Sequence, residues 1–399
     1  MISASGIIGE AWAPGALRDA SNVHVELTRG WDQTRERLRD DIMHGQMTPF
    51  QHRHWLDAWY GAQQFGAETA PLIAIVRRQQ RVLAILPLIV IRSRGLRIAE
   101  SAGGADYNAP ILGAAAADGP IDPGLFWNAL RDALAEASDC DLVRFRKMPT
   151  TIGKFPNPLA SLPETVPCAL RGHRLLLDDD YEAYRLSRER RYRKELERSW
   201  RVFTKHDDAR FERITELDRA MDVFATLESQ QKERMRELGH DYILDDEASS
   251  TFHRDLIRCG IVDGYVVLTA LTCGDTIVAT LLGLRTDSNY LMLRISNAGE
   301  VWANCSPGRL IIERTMMYLH ADGVRSFDFS VGTYDYKRRF GVEDVPLRDL
   351  TAAISWRGRA VVAAGHAARS LARLATAIKL RKQSRPGRSR RELPLRPGG

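Results

Sequence analysis

The residues best suited to chemistry lie between Ser306 and Gly341, in the stretch SPGRLIIERTMMYLHADGVRSFDFSVGTYDYKRRFG. Ser306-Pro307-Gly308 predicts a helix start with an N-cap hydroxyl, a proline in the first turn and no side chain at Gly308. A helix over about 309–320 leads to a short strand, Ser326-Phe327-Asp328-Phe329-Ser330, whose aromatic residues alternate with polar ones. Gly332 and the basic run Tyr334-Asp335-Tyr336-Lys337-Arg338-Arg339 follow. Unpaired N–H groups and the positive end of a dipole at a helix start can hold phosphate oxygens. A strand splayed beside it can hydrogen-bond an extended pantetheine arm, and a cationic run beyond can steady an oxyanion. This order suits acyl transfer from a thioester carrier that ends in a pyrophosphate. It is also ordinary α/β construction, since short motifs of this kind recur without function.

The elements that must position these residues recur along the chain. Pro71–Val76 and Val82–Val90 read as a hairpin, Asp122-Pro123-Gly124 as a helix start, and Asp141–Phe145 as a strand. In the second half, Tyr265–Thr272 and Thr276–Arg285 flank the turn Cys273-Gly274-Asp275, and Asn289–Ser296 is a strand. Gly124 to Gly308 is a step of 184 residues, and so is Asp141 to Arg325. A layout of helix, hairpin, strand, Pro-Gly helix start, helix and strand is therefore expected twice. The first copy has Asp122 at its helix start, and a carboxylate there repels a pyrophosphate. The carrier is expected in the second copy.

Ser306-Pro307-Gly308, Phe327-Asp328-Phe329 with Gly332, and Tyr336-Lys337 with Phe340 resemble the GNAT-fold acetyltransferases of the cellulose-biosynthesis (CelD-like) type, from about Tyr181 to Leu350. The last run is also similar to the lysine-rich motif of the Fem aminoacyltransferases, which are built from two GNAT-like halves. The fold this implies is α/β (α+β), with two tandem GNAT-like lobes, each a mixed, mostly antiparallel sheet flanked by helices. The expected divisions are a loose lead-in over 1–20, a degenerate first lobe over 21–175, an acyltransferase lobe over 176–360 and a basic tail over 361–399. The resemblance implies that Lys337 stabilises the oxyanion; Asp328, set between Phe327 and Phe329, is a candidate to orient it or take the nucleophile's proton, and Tyr334 and Tyr336 are candidate donors to the leaving thiolate. Ser306, Gly308, Arg309 and Gly332 would hold the carrier, acetyl-CoA or another acyl-CoA, with no metal. His253 is an alternative base. The plainer readings are a surface lysine, packed tyrosines and an exposed first-turn arginine.

Composition sets the bounds. Of 399 residues, 44% are hydrophobic and 27% charged, as in a globular protein of two domains. The longest strongly apolar run, Val82–Ile91, is too short to cross a bilayer. Residues 1–20 lack the pattern of a secretory signal, and the five cysteines are scattered, so a reducing cytoplasm is expected. Cys305 reads as a small apolar filler. The net charge of +6 is local: residues 366–399 hold ten Lys/Arg and one acid, +9, leaving −3 for the body (6 minus 9). The segment Ala364–Leu380 has an apolar stripe suited to a peripheral contact with anionic lipid or to a solubilising tail. The arginine-rich segment Arg185–Phe203 reads as an amphipathic helix, with an anionic acceptor as its functional alternative.

The expected activity is acyl-CoA-dependent N- or O-acyl transfer to a small-molecule, polysaccharide or cell-envelope precursor. A non-catalytic GNAT-like scaffold is the alternative. A nucleic-acid-binding protein fits less well, because the body is acidic and aromatic interleaving on a binding sheet is absent.

Overall fold

The computed structural model describes residues 23–137 and 140–365. The lead-in expected over 1–20 and all but the first five residues of the expected tail lie outside these. Two sheets form the frame. The first runs in the order β1 (Val23–Thr28), β2 (Thr69–Arg78), β3 (Arg81–Ser93), β4 (Leu96–Ser101), β5 (Leu142–Pro149) and β12 (Leu347–Ala353). The second runs β7 (Ala209–Ile214), β8 (Val266–Cys273), β9 (Thr276–Thr286), β10 (Asn289–Asn297), β11 (Ser326–Val331) and β6 (Gly172–Leu176), with the short strand Glu343–Val345 pairing β6 at the edge. Position by position the two orders correspond. Neighbours are antiparallel except β4 with β5 and β10 with β11, which are parallel.

The sixth strand of each sheet comes from the other half of the chain. β12, inside the range expected for the second lobe, pairs with β5 of the first sheet. β6, all but its last residue ahead of that lobe's expected start, pairs with β11 of the second. The division at 175/176 is thus crossed in both directions. Strand exchange of this kind makes neither sheet complete without the other half, and ladder pairing between distant segments leaves no local trace in sequence.

Helices cover the sheets as their apolar faces dictate. α2 (Pro123–Glu136) buries Phe126, Trp127, Leu130 and Leu134 on the first sheet. α7 (Pro307–Ala321) buries Leu310, Ile311, Ile312, Met316 and Leu319 on the second. The arginine-rich segment is two helices, α3 (Tyr181–Ser187) and α4 (Arg190–Phe203), broken where Arg188 turns to the Phe340 carbonyl. Tyr192 and Phe203 of α4 are buried, and most of its charges stay in solvent. A third cluster lies between the sheets. There α1 (Arg53–Ala62) packs on α6 (Glu247–Gly260), Trp55 meeting Phe252 edge-on at 4.8 Å, with α5 (Leu217–Glu237) alongside. Among the described residues no helix is long and apolar enough to cross a membrane.

Candidate active site

β10 and β11 pair only from Asn289–Leu291 to Ser326–Asp328. Beyond Leu291 and Asp328 the two strands run on without pairing each other, so the second sheet opens as a fork whose vertex is Leu291/Asp328. On its other edge β10 carries a bulge: Arg294 pairs with Leu282 and Met292 with Gly283, leaving Leu293 without a partner. Bulges release backbone groups from the ladder and recur beside active sites.

The helix start beyond the fork differs from the sequence expectation. Ser306 is left-handed (φ 48°, ψ 57°) and its side chain does not cap the helix. The hydroxyl instead accepts from Arg309 at 2.9 Å. Pro307 has no N–H, and those of Arg309 and Leu310 both turn back to the Ser306 carbonyl. That leaves the first-turn amide of Gly308 without a carbonyl from its own helix. A Cβ at Gly308 would meet only Asn297 Nδ2, at 3.7 Å, so the cradle is open. The positive potential beside this start therefore comes mainly from side chains. A groove of about 600 Å³ beside this start is lined by Arg198, Arg309 and Arg339, with Glu195, Asp335 and Tyr336. Arg309 and Arg339 share Glu195 at 3.1 and 3.3 Å. Burial would raise Glu195, but the hydrogen bonds from Arg309 and Arg191 hold its carboxyl below the ordinary range. Among the described residues Arg198 has no acid partner.

Lys337 requires a correction. It sits on the short helix Asp335–Arg339 and is 2% exposed. Its Nζ donates to the carbonyls of Ser330, Val331 and Gly332 at 3.3, 2.8 and 2.9 Å. All three ammonium N–H bonds are spent on the diverging end of β11, so none is left for an oxyanion. Burial lowers the ammonium to about 8, against the pull of Asp328 and Asp106. Gly332 (φ 94°) lends its carbonyl to this arrangement and does not line the groove. Tyr336 does line it, stacked on Tyr334 with ring centres 6.0 Å apart. Burial, with Tyr334 beside it, raises its hydroxyl to about 12. Tyr336 therefore lines the groove with Arg309 and Arg339, apart from Asp328, and the expected catalytic trio is divided.

Asp328 faces the first lobe, opposite the buried Phe327 and Phe329. Its Oδ1 accepts from Tyr107 Oη at 2.8 Å and from the Ser330 amide at 2.6 Å. Burial pushes the carboxyl up to about 6, against those bonds and the charges of Arg174 and Lys337. Tyr107 belongs to a loop of the first lobe, and its neighbour Asp106 accepts from the Ser330 hydroxyl and faces Lys147 at 3.4 Å. Neither Asp106 nor Tyr107 is marked as functional by the sequence. Their only signal was the position of Ala105-Asp106-Tyr107-Asn108 after a strand, which does not reveal a partner 221 residues away.

Two chambers meet at this clasp. One, of about 490 Å³, is walled by Trp55, Trp59 and Phe252 and includes Asp106, His253, Leu293 and Arg294. His253 is no base there. Burial and Arg294 depress it to about 3, its Nδ1 faces the Ser249 carbonyl, and Nε2 accepts from Arg294. Gln231 joins this network, accepting from Arg294 and Tyr242 and donating to the Ile295 carbonyl at 2.9 Å. The other chamber, of about 400 Å³, lies on the paired side of the fork's vertex and includes Tyr107, Arg174, Leu291 and Asp328. Cys305 is buried and donates to the Trp302 carbonyl, as a filler would.

Residues 190–338 match the acetyltransferase (GNAT) domain family. No curated protein matches the chain. The crystal structure of FemX is similar at a TM-score of 0.54 and 11% identity, covering 81% of this chain and 96% of that one. The structure of L-PGS from Bacillus licheniformis is similar at 0.50 and 9%, covering 82% and 93%. At such identities the likeness is one of fold. The GNAT domain makes this chain an acyltransferase, and the two-lobed frame that carries the domain is shared with FemX.

Proposed function

We propose that the chain transfers an acyl group from acyl-CoA to a polysaccharide or cell-envelope precursor, and that only the second lobe holds the carrier. The observation that carries this reading is the open fork ending at an uncapped helix start with three arginines around it. The Gly308 amide, Arg198, Arg309 and Arg339 would take the pyrophosphate, and Tyr336, protonated at neutral pH, would donate to a phosphate oxygen. The pantetheine arm would lie along β10 towards the bulge at Leu293, where released backbone groups can meet a developing oxyanion.

Asp328 is the proton acceptor in this scheme. A carboxyl near 6 is mostly ionised at neutral pH yet basic enough to take a proton as the nucleophile attacks. The acceptor's nitrogen or oxygen bonds to the acyl carbon, the carbon–sulfur bond breaks, and the acceptor's proton passes to Asp328. Lys337 is a positioning residue that fixes the end of β11. The resemblance to CelD-like enzymes supports a glycan precursor as acceptor.

Calorimetric titration with acetyl-CoA, together with thiol release in the presence of acceptors, tests this. Saturable binding weakened by Arg309→Ala supports it. Absence of acetyl-CoA binding to the folded chain contradicts it.

A further inference from the structure

The chamber on the paired side of the fork's vertex is built from both lobes and from the exchanged strand. β6 places Arg174 directly opposite Asp328 on the neighbouring strand, while Leu291 flanks Asp328 on the other side. Arg174 is exposed and, among the described residues, its guanidinium forms no hydrogen bond or ion pair, although Glu343 stands opposite it on the adjoining strand Glu343–Val345 and its charge reaches Asp328 and Tyr107. Asp328 spends only Oδ1 on Tyr107 and Ser330, and Oδ2 has no partner. The remaining walls are rich in short polar groups, Thr150, Thr151, Thr286 and Asn289 among them. Asp344, the other acid there, is tied to Arg171 at 2.9 Å. A guanidinium without an acid partner in such a place answers a carboxylate or phosphate. A carboxylate oxygen with threonine hydroxyls in the same walls answers a polyol. No aromatic face is offered to a nucleobase, since Tyr290 is fully buried and Tyr107 is 5% exposed.

We infer that this chamber is the acceptor site and that it takes an anionic sugar, a uronate or a sugar phosphate, with the anionic group on Arg174 and a hydroxyl on Asp328. This rests on the transferase reading and narrows it to O-acylation. The sugar oxygen bonds to the acyl carbon, its proton moves to Asp328 Oδ2, and the thiolate leaves with the electrons of the carbon–sulfur bond. At about 400 Å³ the chamber has room for a small ligand.

Titration of the full chain with glucuronate, glucose 1-phosphate, glucose and inorganic phosphate tests the assignment without any turnover. At least one charged sugar should bind tenfold or more tightly than glucose, and the one preferred tells a uronate from a phosphate ester. Arg174→Gln should erase that preference, and Asp328→Asn should weaken both charged sugars. Arg174 is exposed, so the first variant should keep its fold, which its melting temperature checks. Equal binding of glucose and the charged sugars, a preference that survives Arg174→Gln, or inorganic phosphate binding as tightly as the sugars would each overturn the proposal. Acetyl-CoA affinity, measured separately, reports on the carrier site alone, so failure of either reading is seen without the other.

Discussion

The two lobes are built to one plan and have opposite fates at the same place. In the first, β4 and β5 also pair briefly and then part, over Ile98–Glu100 with Leu142–Arg144. There the fork is filled by the chain itself: Asn108 gives its amide N–H to the Lys147 carbonyl and its side chain to that of Arg146. In the second lobe the matching carbonyls are served by Lys337, and across the fork the Gln231 side chain donates to the Ile295 carbonyl of β10. Both forks bend at a left-handed residue, Lys147 (φ 55°) and Ser330 (φ 58°). The helix starts diverge in the same sense. Asp122 caps α2 by accepting from the Leu125 amide at 2.7 Å, whereas Ser306 caps nothing. In the proposed scheme, local stability is taken where no ligand is needed and withheld where one would bind. The closed lobe retains a part in the site, because its loop supplies Asp106 and Tyr107 to the open one.

The largest effect should come from Lys337. Lys337→Met strips donors from three carbonyls, each worth about 1–3 kcal/mol when left unpaired and buried. Urea denaturation should show a loss of at least about 3 kcal/mol, against about 1 kcal/mol for Asn108→Ala, which keeps its backbone bond. A Lys337→Met protein of unchanged stability and abolished turnover would mean that the ammonium acts on the reaction itself.

Asp328→Asn comes next. Turnover should fall by about 10²–10⁴-fold, the usual worth of a general base. In the parent, kcat/KM should rise with pH through about 6, and that limb should vanish in the variant. The sign for stability is the reverse. The folded state holds this proton more tightly than the unfolded chain, so raising the pH from 3.8 to about 6 costs stability. The loss is about 3 kcal/mol for a shift of this size. The neutral variant should therefore resist urea better than the parent at pH 8.

Smaller differences sharpen the contrast between the lobes. Arg309→Ala should raise KM for acyl-CoA about tenfold, the worth of one charged hydrogen bond, with little change in kcat. At the helix starts, Asp122→Ala should cost about 1 kcal/mol in thermal unfolding and Ser306→Ala less than about 0.5 kcal/mol, because only the first is a cap. An equal cost at both would erase the distinction.

Much of the frame could be read from local pattern. The hairpins, the Pro-Gly helix starts and the 184-residue step all come from periodicity and turn residues, and the alternation in Phe327-Asp328-Phe329 turns Asp328 away from its neighbours. The exchange of β6 and β12 could not be read, because strand pairing joins segments whose own sequences are indifferent to the partner. Nor could the fate of Lys337: a lysine in a basic run looks the same whether its ammonium meets ligand or three carbonyls. Ser306 looked like a cap because serine before Pro-Gly usually is one; here its left-handed backbone places the hydroxyl on Arg309 instead. Leu293 is an unremarkable leucine until its ladder partners are counted.

Amide hydrogen exchange with and without acetyl-CoA tests the central claim most directly. Carrier binding should slow exchange along 292–297 and at 308–310, and leave 98–110 and 123–126 unchanged. Protection in the first lobe's fork, or in neither fork despite saturating ligand, would contradict the account.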